Sequence, residues 1–270
     1  MGKTDAYRQV VLPLLGSFVG TRSAEELSAY LRENSNLPGP RGNLELAAAF
    51  AAAVRESGSQ KSEPLWDLLK TMTAVTALEA PTGHPDEFVV FCGTVGIGAL
   101  GAVCPAYSDM ALSALRSLAS DPRWRVREGV AMALQQLLLS RAWDTVAELG
   151  RWVERGDLLQ LRAAAAGVAE PAVLKQPGMP EAALELHRGI LPVVAQASDR
   201  RSEAFRVLRQ ALGYTLSVVV CELPESGFAF LRELMAANDV DVLWIVNQNL
   251  KKNRLLRRFP DRVQALRVLT

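Results

Sequence analysis

Histidine is almost missing from this chain. His84 and His187 are the only two in 270 residues, and neither stands in a metal-ligand spacing or beside a nucleophile motif such as GxSxG. Imidazole-based hydrolysis and a histidine-rich metal centre therefore lack their raw material, and a surface or loop role is expected for both residues. Cysteine is scarce as well. Cys92, Cys104 and Cys221 are odd in number, lie in apolar stretches and show no CxxC spacing, which argues against a disulfide framework or a zinc site. A reducing, bacterial-type cytoplasm suits such thiols best. Net charge is only +1, so attraction to nucleic acid or membrane has to come from local clustering. A long uninterrupted apolar run is also lacking. Pro13 and Gly16 break the one near the N-terminus, so no signal peptide is expected; Phe88 to Val103 is short and carries four glycines, so no membrane span is expected.

Aromatics supply only 6% of the residues while hydrophobic residues reach 49%, so burial rests on Ala, Leu and Val. Those residues favour helix and close helix packing, and alanine runs such as Leu46 to Val54 and Arg162 to Gly167 reinforce the point. The clearest unit is Asp109 to Ser140. Ala111, Leu112, Leu115, Leu118 and Ala119 recur at helical spacing, Ser120-Asp121-Pro122 breaks the helix, and Val126, Val130, Leu134, Leu137 and Leu138 form a second stripe. Two helices thus meet at a corner. A second copy emerges when Asp121-Pro-Arg-Trp-Arg-Val-Arg-Glu is laid over Asp241-Val-Leu-Trp-Ile-Val-Asn-Gln, where Asp, Trp and Val coincide. Weaker copies lie at Leu161-Arg162 and at Leu208-Arg209-Gln210, giving intervals of about 35 to 50 residues, the period of two-helix solenoid repeats.

In these residues the chain resembles the HEAT-repeat family, whose turn between helices reads much like Asp121-Pro-x-Trp124-x-Val126-Arg127-Glu128. The resemblance implies an all-α fold, a HEAT-like α-solenoid of antiparallel helix pairs. It further implies that Asp121 or Asp241 caps the second helix and that Arg127 reaches a neighbouring repeat; Asn247 departs from that arginine. One repeat domain over 1–270 is expected, with less regular helices over 1–84 and HEAT-like repeats over 85–270. The N-terminal helices fall near Ala6 to Phe18, Ala24 to Glu33, Leu44 to Glu56 and Pro64 to Leu78. Asn34 to Asn43 is dense in turn formers and reads as an ordered corner or a contact loop.

Gly96-Ile-Gly98-Ala-Leu-Gly101 satisfies GxGxxG, follows the strand-like Phe88 to Phe91 and precedes Asp121 at a dinucleotide-site distance. Against that reading, Cys104-Pro105 stops any helix opening at the glycines, and Glu87 to Val103 reads better as a buried helix with small residues at close approaches. No cofactor, no metal and no catalytic residue is assigned. The short Glu181-x-x-x-Glu185-x-His187 spacing is that of a charged helix face.

Two basic groups remain as binding candidates. Lys251, Lys252, Arg254, Arg257, Arg258, Arg262 and Arg267 face only Asp261 among acids, just after Trp244, Asn247, Gln248 and Asn249. They read either as phosphate contacts or as the solvated face of a terminal cap helix. Arg123, Trp124, Arg125 and Arg127 form the second group, at the strongest corner. Trp124 and Trp244 suit corner packing as well as stacking on a base. The expected function is a noncatalytic scaffold that binds a protein partner along a concave face, without a membrane. The alternative is DNA binding: repeat style, tryptophan placement and the basic terminal repeat resemble the alkylpurine DNA glycosylases built from HEAT-like repeats.

Overall fold

The computed structural model describes residues 2–268, and within them the chain is helical throughout, with no strand. It falls into two compact units, Met1–Arg141 and Ala142–Thr270. Residues 1–84 share the first unit with the corner at Asp121.

In the first unit, α2 (Glu25–Glu33), α3 (Leu44–Thr73), α5 (Ser108–Leu118) and α6 (Trp124–Ser140) pack around α4 (Pro85–Val103), and α1 (Lys3–Thr21) lies against α3 and α2. The two expected helices, Leu44 to Glu56 and Pro64 to Leu78, are the two arms of α3, and the second ends at Thr73, short of Leu78. Helix α3 is kinked at Lys61, where the backbone leaves helical geometry. Pro64 accounts for the kink, since its ring cannot donate a hydrogen bond and crowds the preceding turn. Asn34 to Asn43 is an ordered corner. Asn43 is buried, caps α3 by accepting from the Leu46 amide at 3.0 Å, and donates to Asn34 O at 2.8 Å and Tyr7 Oη at 3.0 Å.

Helix α4 is the core of this unit. His84 caps it, Pro85 occupies its first position, and most of its length from Glu87 to Gly101 is buried. It is long and apolar enough to cross a membrane by length and composition, yet 83% of that stretch is covered by its own unit. Its glycines sit in mid-helix, away from the N-terminus where a dinucleotide fingerprint needs them. They serve packing. A methyl group at Gly96 would meet Leu69 Cδ2 at 2.4 Å, one at Gly98 would meet the Ala133 backbone at 2.5 Å, and one at Gly101 would meet Ala111 Cβ at 2.7 Å. The strand-like reading of Phe88 to Phe91 is corrected for the same reason: helices on every side make the run continuously apolar without a sheet.

Gly98→Ala is therefore expected to destabilise the first unit by about 1–3 kcal/mol, because the backbone of α6 cannot yield as a side chain does. Gly150→Ala, in the open interior of a helix with nothing within 4 Å, is expected to stabilise the chain by roughly 0.5–1 kcal/mol. Thermal unfolding of the two variants reads the opposite signs.

The second unit contains α7 (Ala142–Arg155), α8 (Leu158–Val168), α9 (Pro171–Leu174), α10 (Met179–Gln196), α11 (Glu203–Glu222), α12 (Pro224–Met235), α13 (Val240–Leu250), α14 (Asn253–Arg258) and α15 (Pro260–Arg267). Helix α11 is its centre, packing on α8, α13, α12 and α10. Two buried polar side chains brace it. Asn249 accepts from the Ser217 amide at 2.7 Å and donates to Leu212 O at 2.8 Å, tying α13 to the α11 backbone.

His187 is fully buried on α10, contrary to the expected surface or loop position, whereas His84 is in a loop as a cap. His187 Nδ1 lies 2.7 Å from Ala183 O and Nε2 lies 2.8 Å from Thr215 Oγ1. A carbonyl only accepts, so Nδ1 carries the proton and the Thr215 hydroxyl donates to Nε2. Its spacing from Glu181 and Glu185 thus has no chemical meaning: the acids face outward and the imidazole inward.

The two corners differ in construction. At the first, Asp121 Oδ1 accepts from the Arg123 amide at 2.7 Å, and α6 begins with Trp124. At the second, the cap of α13 is Asp239, whose Oδ1 accepts from the Asp241 and Val242 amides at 3.0 Å. Trp124 is thus the first residue of its helix, while Trp244 is the fifth of its own. The sequence overlay of Asp121 on Asp241 is displaced by about one helical turn, because Asp239 starts α13 early and Pro122 delays α6. The capping role expected of Asp241 is corrected accordingly. Asp241 instead pairs with Arg200 and Arg209, each at 2.7 Å.

Candidate binding surfaces

The arginines of the first corner are embedded. Arg123, Arg125 and Arg127 are 2%, 6% and 5% exposed, so none presents an open guanidinium to a phosphate. Arg123 grips Asp121 with Nε at 2.9 Å and Nη2 at 2.7 Å, and donates to the carbonyls of Val75 and Ala80 at 3.0 and 3.3 Å. It closes the chain segment after α3, where exposed carbonyls favour a cation. Arg127 Nη1 turns back to Asp121 O at 2.8 Å and Pro122 O at 3.0 Å, bracing its own turn.

Arg125 joins three segments. Its Nη1 meets Glu87 Oε2 at 3.0 Å, its Nη2 donates to Gly39 O at 2.7 Å, and its Cζ lies 4.4 Å from the Trp124 ring centre. Glu87 is wholly buried and also accepts from the Gly83 amide at 2.7 Å, leaving Oε1 and Arg125 Nε unpartnered. Only glycine serves at position 39, since a Cβ there would stand 2.4 Å from Asn36 O.

Over this ion pair lies a cavity of about 360 Å³, walled by Leu44, Phe88, Phe91 and Met132 and rimmed by Trp124, Arg41 and Glu128. Trp124 is 43% exposed and Leu44 49% exposed, so two large apolar side chains stand at its mouth. Trp124 is the one sequence candidate at this corner left open to solvent. Arg41, Leu44, Phe88 and Met132 were not among the sequence's binding candidates, although Arg41 falls in the stretch expected to be a corner or contact loop. The signal available for them was faint: an arginine in the turn-rich stretch, and a methionine two turns beyond Trp124 on the same face of α6.

The second basic group divides. Arg258 pairs with Glu222 at 3.4 Å, Arg262 pairs with Glu225, and Arg267 Nη2 donates to Leu250 O at 3.1 Å. Among the described residues Lys251, Lys252, Arg254 and Arg257 have no acidic partner, and all four lie at the end of α13 and along α14. Asn247 and Gln248 are half-buried beside them. Trp244 is no open platform: the Arg209 guanidinium lies 3.9 Å from its ring centre and α11 comes close at Gly213.

A second cavity of about 360 Å³ lies next to Arg254 and Arg258, with Tyr214, Cys221, Glu170 and Glu222 on its walls. Burial pushes the Cys221 thiol up, and the nearby Arg258 and Arg254 only partly oppose this. All three cysteines are free and buried; burial also raises Cys104 and raises Cys92 well above the usual thiol range. None is a poised nucleophile.

Among the described residues no group of three or more His, Cys, Asp or Glu side chains is placed to hold a metal ion. Comparison with models of known protein families, with curated proteins and with solved structures gave no match.

Proposed function

We propose that the chain is a noncatalytic binding scaffold, built of HEAT-like helix pairs, that docks a protein partner at the head of α6. One observation carries this reading: an apolar cavity of about 360 Å³ opens beside a Trp124 that is 43% exposed. Partner-binding energy concentrates where a large side chain enters a desolvated pocket, with aromatic and arginine residues around it. Three free, buried thiols are in keeping with a reducing cytoplasm as its place of work.

Affinity purification from source cells tests it. Met132→Arg and Leu44→Arg are expected to abolish capture of a partner that wild type retains at moderate salt. Retention by both variants would reject the α6 site.

A second reading, binding of nucleic acid by the second unit, is favoured by Lys251, Lys252, Arg254 and Arg257, which lack acidic partners. Changing all four to Gln is expected to weaken binding of duplex DNA and to reduce its salt slope by about 3 to 4. A wild-type chain without DNA affinity at low salt would reject it.

A further inference from the structure

We infer that the segment docked at the α6 cavity carries an acidic residue beside its large apolar side chain, and that Arg41 is the group that selects it. The inference rests on the docking role proposed for the same cavity. Its basis is the balance of charge around the mouth. Arg125, in the cavity lining, is paired with Glu87 at 3.0 Å. Glu128 on the rim is already engaged within the fold. Arg41 is exposed and, among the described residues, has no acidic partner. Arg41 therefore offers the mouth a cation with no countercharge from the fold, and a partner that places a lysine or arginine beside it meets repulsion.

The position of Arg41 makes this charge selective. Asn43 pins one side of its loop by capping α3, and Gly39 O is held by Arg125 Nη2 at 2.7 Å on the other. The guanidinium thus extends from a backbone fixed at both sides, so pairing costs less ordering than on a loose loop. Leu44, a single helical step beyond the cap, offers apolar surface next to that charge. An apolar side chain in the cavity with a carboxylate one or two residues away meets both features together.

Selection of random phage-displayed peptides on the full-length protein tests the inference, with removal of those that also bind Met132→Arg or Leu44→Arg. The retained peptides are expected to share an aromatic or long aliphatic residue with Asp or Glu close by, and Arg41→Glu is expected to weaken a representative synthetic peptide about tenfold. Retained peptides that lack the acid and bind Arg41→Glu equally well would overturn the inference while leaving the docking site standing. If no peptide depends on Met132 and Leu44, the docking role itself fails.

Discussion

Glu87→Ala is expected to cost the first unit about 3–5 kcal/mol, more than Gly98→Ala, because it strands the Arg125 charge in the interior. Glu87 is 0% and Arg125 6% exposed, and among the described residues the countercharge at bonding distance from Arg125 is Glu87 Oε2. The pair is not thereby a net source of stability, since taking both charges out of water costs about as much as their attraction returns. Replacing both, as Glu87→Leu with Arg125→Met, is accordingly expected to recover most of the loss. Recovery stops short by about 2 kcal/mol, since Gly39 O then loses its donor and the Gly83 amide loses its acceptor, each at 2.7 Å in the wild type. Hydrogen exchange of the α4 amides measures this within the unit concerned, which matters in a chain of two units where one global transition need not occur. A double variant no more stable than Glu87→Ala would contradict the account.

The second large effect is on pH. Burial holds the His187 imidazole at a pKa of about 4, against an ordinary value of 6.5. The unfolded chain therefore takes up a proton below about pH 6.5 that the folded chain refuses until about pH 4. Stability from this group is fully present above 6.5 and is lost as pH falls toward 4, by about 3 kcal/mol in total. Unfolding of wild type and His187→Gln between pH 7 and 4 checks it. Wild type should lose stability more steeply; parallel curves would place the pH dependence elsewhere.

Much of the fold was legible in the sequence because apolar spacing is read directly as a buried face. The stripe from Ala111 to Leu118 and the one from Val126 to Leu138 lie where their spacing puts them, in α5 and α6. The buried reading of Glu87 to Val103 holds for the same reason. Registration between the two corners was not legible. A shared Asp, Trp and Val fixes residue types but not which carboxylate captures the first free amides, and Asp239 does so ahead of Asp241.

The binding surface was the least legible part. Arginines in a row read as a basic patch, yet whether each meets solvent depends on carbonyls and carboxylates far away in the chain. Arg123 finds Val75 and Ala80, and Arg125 finds Glu87 and Gly39. No local pattern encodes those pairings. Lys251, Lys252, Arg254 and Arg257 are different: with few acids within reach in sequence or space, they have no acidic partner among the described residues.

The most direct measurement of the central claim is hydrogen exchange of the full chain with and without the captured partner. Docking at the head of α6 predicts slowed exchange in 37–44 and 124–135, with 247–258 unchanged. Slowing confined to 247–258, with 37–44 and 124–135 exchanging as in the free chain, would contradict it.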